Sequence, residues 1–308
     1  MADLPKRKLG RTGLEVTVLG FGAMELRGPG QWRGRPLAPG QAQQVLNTVL
    51  DAGINFIDSS IDYGESEENI GRYISHRRSE YLLASKCGCL VDRSSAPPGE
   101  PFQHVFTRKN ISDGVDQSLK RMRTDHLDLV QFHGSPSKQV LEQEGAIQTL
   151  LDLKREGKVR FIGASSTLPD LVDHIRMGVF DAFQIPYSAL QREHEAAITQ
   201  ASKAGAGTII RGGVARGVPG QGQGSEDVWN LWDRARLRDL LDDMTQMEFM
   251  LRFTISHPDL STTIVGTLNP AHLKENLAAV RKGPLPTPVY NEAKRRLAAV
   301  GAVPASTI

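Results

Sequence analysis

Eight short apolar runs rich in β-branched residues alternate with eight segments of helical periodicity along almost all of this 308-residue chain, and no other feature restricts the fold as strongly. The runs lie at 16–21, 54–57, 81–84, 127–132, 159–163, 182–185, 208–210 and 263–265. Each is bounded by turn residues and is too short for a helix, which is how strands covered on both faces read. Between them, apolar residues recur every three or four positions over 41–52, 66–74, 110–122, 146–155, 169–177, 193–204, 237–256 and 270–280. That spacing gives each helix one apolar stripe. End signals agree, with Asp51-Ala52-Gly53 closing the first helix and Glu156-Gly157-Lys158 the fourth.

Strand and helix in strict alternation imply a parallel sheet clad in helices, and eight units predict closure into a (β/α)₈ TIM barrel, a single α/β domain over 1–308. An open doubly wound sheet is the alternative. Ahead of the first unit, residues 6–17 read as an N-terminal β-hairpin that plugs one end of the barrel. After the last, Gly283-Pro284-Leu285-Pro286-Thr287-Pro288 is a stiff linker into an extra helix near 289–300, within a C-terminal extension over 284–308. Two connections, 25–40 and 211–236, exceed plain turns. The second contains Gly212, Gly213, Gly217, Gly220, Gly222 and Gly224, so it is expected to be mobile unless a ligand orders it.

Composition removes several classes of partner. A formal net charge of +2 with 23% charged residues offers no electrostatic footprint for nucleic acid, and the basic stretches Lys6-Arg7-Lys8 and Lys120-Arg121-Met122-Arg123 read as solvated faces. The first ten residues lack the apolar centre of a signal peptide, and no run of about 18 apolar residues follows, so a cytoplasmic protein with no membrane partner is expected. Cys87 and Cys89, the two cysteines, stand one residue apart, too close for an easy disulfide and too few for a structural metal site, so no metal is expected.

In an α/β barrel the chemistry lies at the carboxyl ends of the strands. Asp58 ends the second run, Lys86 follows the third and His133 follows the fourth; Tyr63 lies on the loop leaving the second. A tyrosine with a pKa near 10 donates a proton poorly at neutral pH unless a cation eases formation of the phenolate, and Lys86 can supply that charge. Asp58 would keep Lys86 protonated against desolvation, and a neutral His133 would orient a carbonyl by hydrogen bonding.

These residues sit in longer motifs: Gly20-Phe21-Gly22-Ala23-Met24, Asn55-Phe56-Ile57-Asp58-Ser59-Ser60-Ile61-Asp62-Tyr63-Gly64, Ala84-Ser85-Lys86-Cys87-Gly88 and Leu127-Asp128-Leu129-Val130-Gln131-Phe132-His133. With 157–166, 256–267 and 273–277 they resemble, in order and over most of the chain, the aldo-keto reductase superfamily. The resemblance implies an NAD(P)H-dependent oxidoreductase reducing an aldehyde or ketone by hydride transfer. It implies a catalytic tetrad at Asp58, Tyr63, Lys86 and His133. It implies NADPH, with NADH as the other possibility, held extended along the barrel mouth by Gly22, Ala23, Met24 and Asp58. The carboxamide would lie near Ser165, Ser166 and Gln184, the nicotinamide ring by Arg211, and the pyrophosphate beneath the loop that carries Gly212, Val214, Arg216 and Gly217. Gly266, Thr267, Leu268, His272, Glu275 and Asn276 match the adenosine side.

Three positions depart from the family pattern. Ser166 stands where asparagine is usual, Arg211 where many members have an aromatic residue, and Leu268 where a polar or basic residue commonly meets the 2′-phosphate; Lys274 is then the nearest substitute. A guanidinium over a ring that becomes cationic when oxidised favours the reduced cofactor, hence reduction. Trp32, Trp229 and Trp232 either line a pocket for apolar carbonyl compounds or pack beneath a loop. A Schiff-base lyase using Lys86 and a cofactor-sensing subunit of little turnover are the competing functions.

Overall fold

The computed structural model describes residues 3–29, 34–92 and 103–306. Strands β1 (Lys6–Lys8) and β2 (Glu15–Thr17) form an antiparallel hairpin. Eight further strands follow: β3 (Leu19–Gly22), β4 (Phe56–Asp58), β5 (Leu82–Cys87), β6 (Leu127–Phe132), β7 (Val159–Ser165), β8 (Ala182–Pro186), β9 (Gly207–Arg211) and β10 (Thr262–Val265). They pair in parallel, each with its neighbour in the chain, and β10 returns to β3 to close the barrel. Helices such as Gln41–Asp51, Arg108–Met122, Ala146–Arg155 and Pro270–Arg281 cover the outside, and Thr287–Ala299 is the extra C-terminal helix.

Side chains alternate across each strand, and this alternation positions the site. Outward residues such as Phe21, Ile57, Leu83, Val130 and Ile162 pack under the helices in the larger core. Inward residues Phe56, Ala84, Leu129, Ala182 and Ile209 fill the barrel, and Leu9 and Val16 of the hairpin join them as a plug. Two residues further along the same inward rows stand Asp58, Lys86, Gln131, Gln184 and Arg211. Each row therefore changes from apolar to polar at one level, and that level is the floor of the site.

The helix boundaries follow their signals closely, and three expectations need correction. The run 16–21 is two strands: Val16 belongs to β2 and pairs with Arg7, whereas β3 begins at Leu19. The span 237–256 is a short 3₁₀ turn, Leu237–Leu240, and then the helix Gln246–Ile255. Asp242 takes a left-handed conformation between them, and the Thr245 hydroxyl accepts a hydrogen bond from the Glu248 N–H at 3.1 Å, restarting the helix. The glycine-rich connection 211–236 carries a helix, Glu226–Arg234, and is folded on itself.

In that connection the backbone N–H of Gln223 donates to the Arg216 carbonyl at 2.8 Å and that of Gly222 to the Val218 carbonyl at 2.7 Å. Its glycines serve close approach here as well as conformational freedom. A Cβ on Gly224 would stand 2.0 Å from the Gly217 carbonyl oxygen and 2.5 Å from the Trp229 indole nitrogen. Trp229 and Trp232 are buried, with the Trp232 ring edge-on to Phe249 at 5.4 Å, so they pack beneath the loop. Trp32 lies outside the described residues. Gly224→Ala is expected to cost about 1 to 3 kcal/mol by overpacking, read as a lower midpoint of thermal unfolding. An unchanged midpoint would contradict this packing.

Candidate active site

Lys86 is the centre of the arrangement. Its ammonium donates to Asp58 Oδ2 at 2.7 Å and to the Ser59 carbonyl at 2.7 Å, and its side chain is fully buried. Asp58 Oδ1 accepts from the side-chain amides of Gln131 and Gln184, both at 2.9 Å. In the strand register Asp58 lies opposite Ala84 on β5, Lys86 opposite Gln131 on β6 and Gln184 opposite Ser165 on β7, so the pairing is made across the barrel interior by inward side chains. The ammonium lies 4.8 Å from the centre of the Tyr63 ring, and the Tyr63 and His133 rings meet edge to face at 6.0 Å. Asp58, Lys86, Tyr63 and His133 thus converge at one mouth.

Burial alone would lower the Lys86 pKa, yet the charges of Asp58 and Tyr63 and the Asp58 hydrogen bond outweigh it and hold the ammonium above its ordinary value. Burial raises the Tyr63 phenol; Lys86 pulls it back down, while Asp58 and Asp62 push it further up. The expectation that Lys86 lowers the tyrosine's pKa is therefore met only as an opposing contribution. Burial of a phenolate is the largest effect, and the single ammonium does not offset it. Tyr63 consequently keeps its proton at neutral pH.

Burial drops His133 to about 3, Asp62 acting against that fall and Lys86 with it. Its Nδ1 faces Cys89 Sγ at 3.1 Å, with Asp62 Oδ2 and Ser60 Oγ each at 3.5 Å. Nε2 is the ring nitrogen left for a substrate. Arg211 ends β9; burial lowers its pKa and the charge of Tyr63 raises it, so the two groups share one field.

Tyr63, His133 and Arg211 line a cleft of about 1330 Å³. Drug-sized pockets run to about 1,000 Å³, so this one has room for more than a small substrate. Of the residues matched to the cofactor, Gly22, Met24, Asp58, Ser165, Gln184, Gly212, Val214, Arg216 and Gly217 line it, as do Gly266, Thr267, Leu268, His272, Glu275 and Asn276. Ala23 and Ser166 do not: both are fully buried. Strand alternation turns Ser166 away from Ser165, and its hydroxyl lies 2.8 Å from His174 Nδ1 and 3.2 Å from the Ser135 hydroxyl. Lys274 is exposed and outside the lining.

Sequence reasoning missed Gln131, Ser135 and His104, all close to the site. Gln131 was legible, being two residues before His133 on one strand face. His104 was not, because it is brought in by an isolated backbone bridge to Cys89 inside the connection after β5, which no turn signal or periodicity marks.

The family model for the Aldo/keto reductase family matches residues 18–296. L-galactose dehydrogenase of Arabidopsis thaliana is 27% identical over 305 residues, spanning 91% of this chain and 89% of that protein. NADH-specific methylglyoxal reductase of Escherichia coli is 26% identical over 316 residues, spanning 90% and 94%. The holo form of an aldo-keto reductase from Bacillus halodurans superposes with a TM-score of 0.82 at 26% identity, covering 95% of this chain and 96% of that one. Fold and family together define an NAD(P)H-dependent oxidoreductase on a (β/α)₈ barrel. The chain belongs to the aldo/keto reductase family.

With its folded pKa far below the ordinary value near 6.5, His133 binds its proton more readily in the unfolded chain. Its contribution to stability is therefore present above about pH 6.5 and is lost as the pH falls toward about 3. Nitrogen-detected NMR of labelled imidazoles is expected to show His133 neutral at about pH 5, where an exposed histidine is cationic. A His133 that titrates near its ordinary value would refute the buried, neutral assignment.

Proposed function

We propose that the chain reduces an aldehyde or ketone to the alcohol, with Tyr63 as the proton donor, and that it takes either NADPH or NADH. The observation that carries this reading is the buried chain of contacts from Asp58 through Lys86 to the Tyr63 ring, opening on a cleft of dinucleotide size. When bound, the reduced nicotinamide supplies a hydride to the carbonyl carbon.

The protein's own groups do the rest. The carbonyl oxygen lies between Tyr63 Oη and His133 Nε2, and the neutral imidazole donates to it and orients it. Tyr63 gives its proton to that oxygen as the negative charge develops there. The phenolate left behind is stabilised by the Lys86 ammonium, and water later returns the proton. Asp58 never moves a proton; it keeps Lys86 charged, with Gln131 and Gln184 holding its other oxygen. Arg211 adds positive potential on the same side, which favours the neutral reduced ring over the cationic oxidised one.

The cleft suits a dinucleotide in its donors and its shape. The Ser165 hydroxyl and Gln184 amide stand 3.4 Å apart on adjacent strand ends, placed to meet a carboxamide. In the lining of the cleft Gln223 donates to Glu25 at 3.3 Å, and Glu25 pairs with Arg35 at 2.6 Å, so the two long connections meet there. Among the residues matched to the adenosine side, Leu268 offers no charge, Glu275 is acidic and Lys274 lies outside the lining, so His272 is the basic side chain there to meet a 2′-phosphate. This furnishing supports use of both cofactors with weak discrimination. The E. coli relative, by its name, is specific for NADH.

A Schiff-base lyase is not favoured, because its lysine needs a neutral, accessible amine, and Lys86 is charged, fully buried and screened from the cleft. The test is steady-state reduction of a carbonyl panel with each cofactor, alongside Tyr63→Phe. Tyr63→Phe is expected to lose about 10² to 10⁴ in kcat with cofactor affinity retained. Wild-type kcat/KM with NADPH and NADH is expected to agree within about tenfold, or about 1.4 kcal/mol. Undiminished kcat in Tyr63→Phe would remove the proton-donor assignment, and cofactor binding without turnover on any carbonyl would favour a sensing role.

A further inference from the structure

Cys89 and His104, from the connection after β5, meet His133, from the end of β6, at the wall of the cleft. An antiparallel backbone bridge pairs Cys89 with His104, flanked by bonds from Val105 N–H to the Gly88 carbonyl at 2.6 Å and from Leu90 N–H to the Gln103 carbonyl at 2.9 Å. A third bond, His133 N–H to the Cys87 carbonyl at 3.0 Å, fixes the remaining residue to the same segment. Backbone pairing therefore positions all three.

Their side chains converge. Cys89 Sγ is 3.1 Å from His133 Nδ1, and the rings of His104 and His133 stand nearly perpendicular at 5.4 Å. One donor atom from each of the three lies within 4.8 Å of the other two. His104 Nε2 is buried without a hydrogen-bond partner among the described residues, an unusual state for an imidazole nitrogen. Asp62 Oδ2, 3.5 Å from His133 Nδ1, is the nearest carboxylate. Gly134 makes room for this, because a Cβ there would stand 2.8 Å from His104 Nε2.

We propose that Cys89, His104 and His133 form a three-ligand binding site for a borderline-soft divalent cation of the zinc type, with water completing the coordination. One sulfur and two imidazole nitrogens are ligands such a cation takes, whereas calcium and magnesium take oxygen sets. In a tetrahedron with metal–sulfur bonds of about 2.3 Å and metal–nitrogen bonds of about 2.0 Å, donor atoms stand about 3.3 to 3.6 Å apart. The Cys89–His133 edge is already close to this, and His104 has to move inward by about 1 Å. Each neutral imidazole offers the cation the lone pair of its unprotonated nitrogen. Cys89 gives its thiol proton to water on binding, and affinity consequently rises with pH. The cation would occupy Nδ1 of His133 and fix the remaining ring proton on Nε2, the side that faces substrate.

The probe is Co²⁺, added to the reduced, metal-free full-length chain and followed by absorption, with Zn²⁺ as competitor. The expected result is one Co²⁺ per chain, with intense tetrahedral visible bands and a near-ultraviolet thiolate-to-cobalt band, all abolished by Zn²⁺. With two cysteines in the sequence the thiolate is assignable: Cys87→Ala keeps the band and Cys89→Ser loses it. His104→Ala is expected to weaken binding by at least the roughly 10- to 100-fold cost of losing a supporting partner. Circular dichroism checks that each variant is folded. No thiolate band in the folded wild type, or an undiminished band in Cys89→Ser or undiminished affinity in His104→Ala, overturns the proposal. None of these readouts depends on turnover, so the site stands or falls separately from the reductase reading.

Discussion

A lysine ammonium buried against one carboxylate inside the barrel mouth is the constraint around which the rest is arranged. Charge in a dry interior is costly unless it is paired and its remaining donors and acceptors are used. Here Lys86 has Asp58 and the Ser59 carbonyl, and the second Asp58 oxygen has two glutamine amides. The pair and its partners draw on β4, β5, β6 and β8, half the strands of the barrel, so closing the sheet and assembling the site are one event. The pair is weak as a source of stability. Its value lies in a fixed positive charge beneath the Tyr63 ring, maintained where a lone lysine would lose its proton.

Much of this arrangement is legible in the chain because strands alternate. Once 54–58 is read as a strand with Phe56 inward, Asp58 must be inward as well, and the same step takes Ala84 to Lys86 and Leu129 to Gln131. Gln131 follows from this rule as surely as Lys86 does, though an amide carries less obvious chemistry than an ammonium. The rule also explains the correction at Ser166. It follows inward-facing Ser165, so its hydroxyl turns to His174, and its difference from the usual asparagine acts through the strand's outer side.

What was not legible depends on contacts between distant segments. The hairpin was readable, but the break between β2 and β3 was not, since Thr17 and Val18 carry no turn residue. Trp229 and Trp232 fitted either a pocket wall or a buried prop, and the packing of Trp232 on Phe249 decides it. The glycines of 211–236 read as freedom of movement; in the fold they admit backbone against backbone, and the segment is held by its own hydrogen bonds. His104 joins Cys89 only through a backbone bridge. The electrostatic outcome at Tyr63 was equally hidden, because its sign depends on how burial and two carboxylates weigh against a single cation.

In the proposed mechanism Asp58 acts through Lys86 and not on its own. A double-mutant cycle on kcat/KM, with Asp58→Asn, Lys86→Met and the combination, measures that dependence directly. If the carboxylate's role is to keep the ammonium charged, the double variant loses no more activity than the worse single variant. Losses that multiply would show two independent contributions and contradict the account.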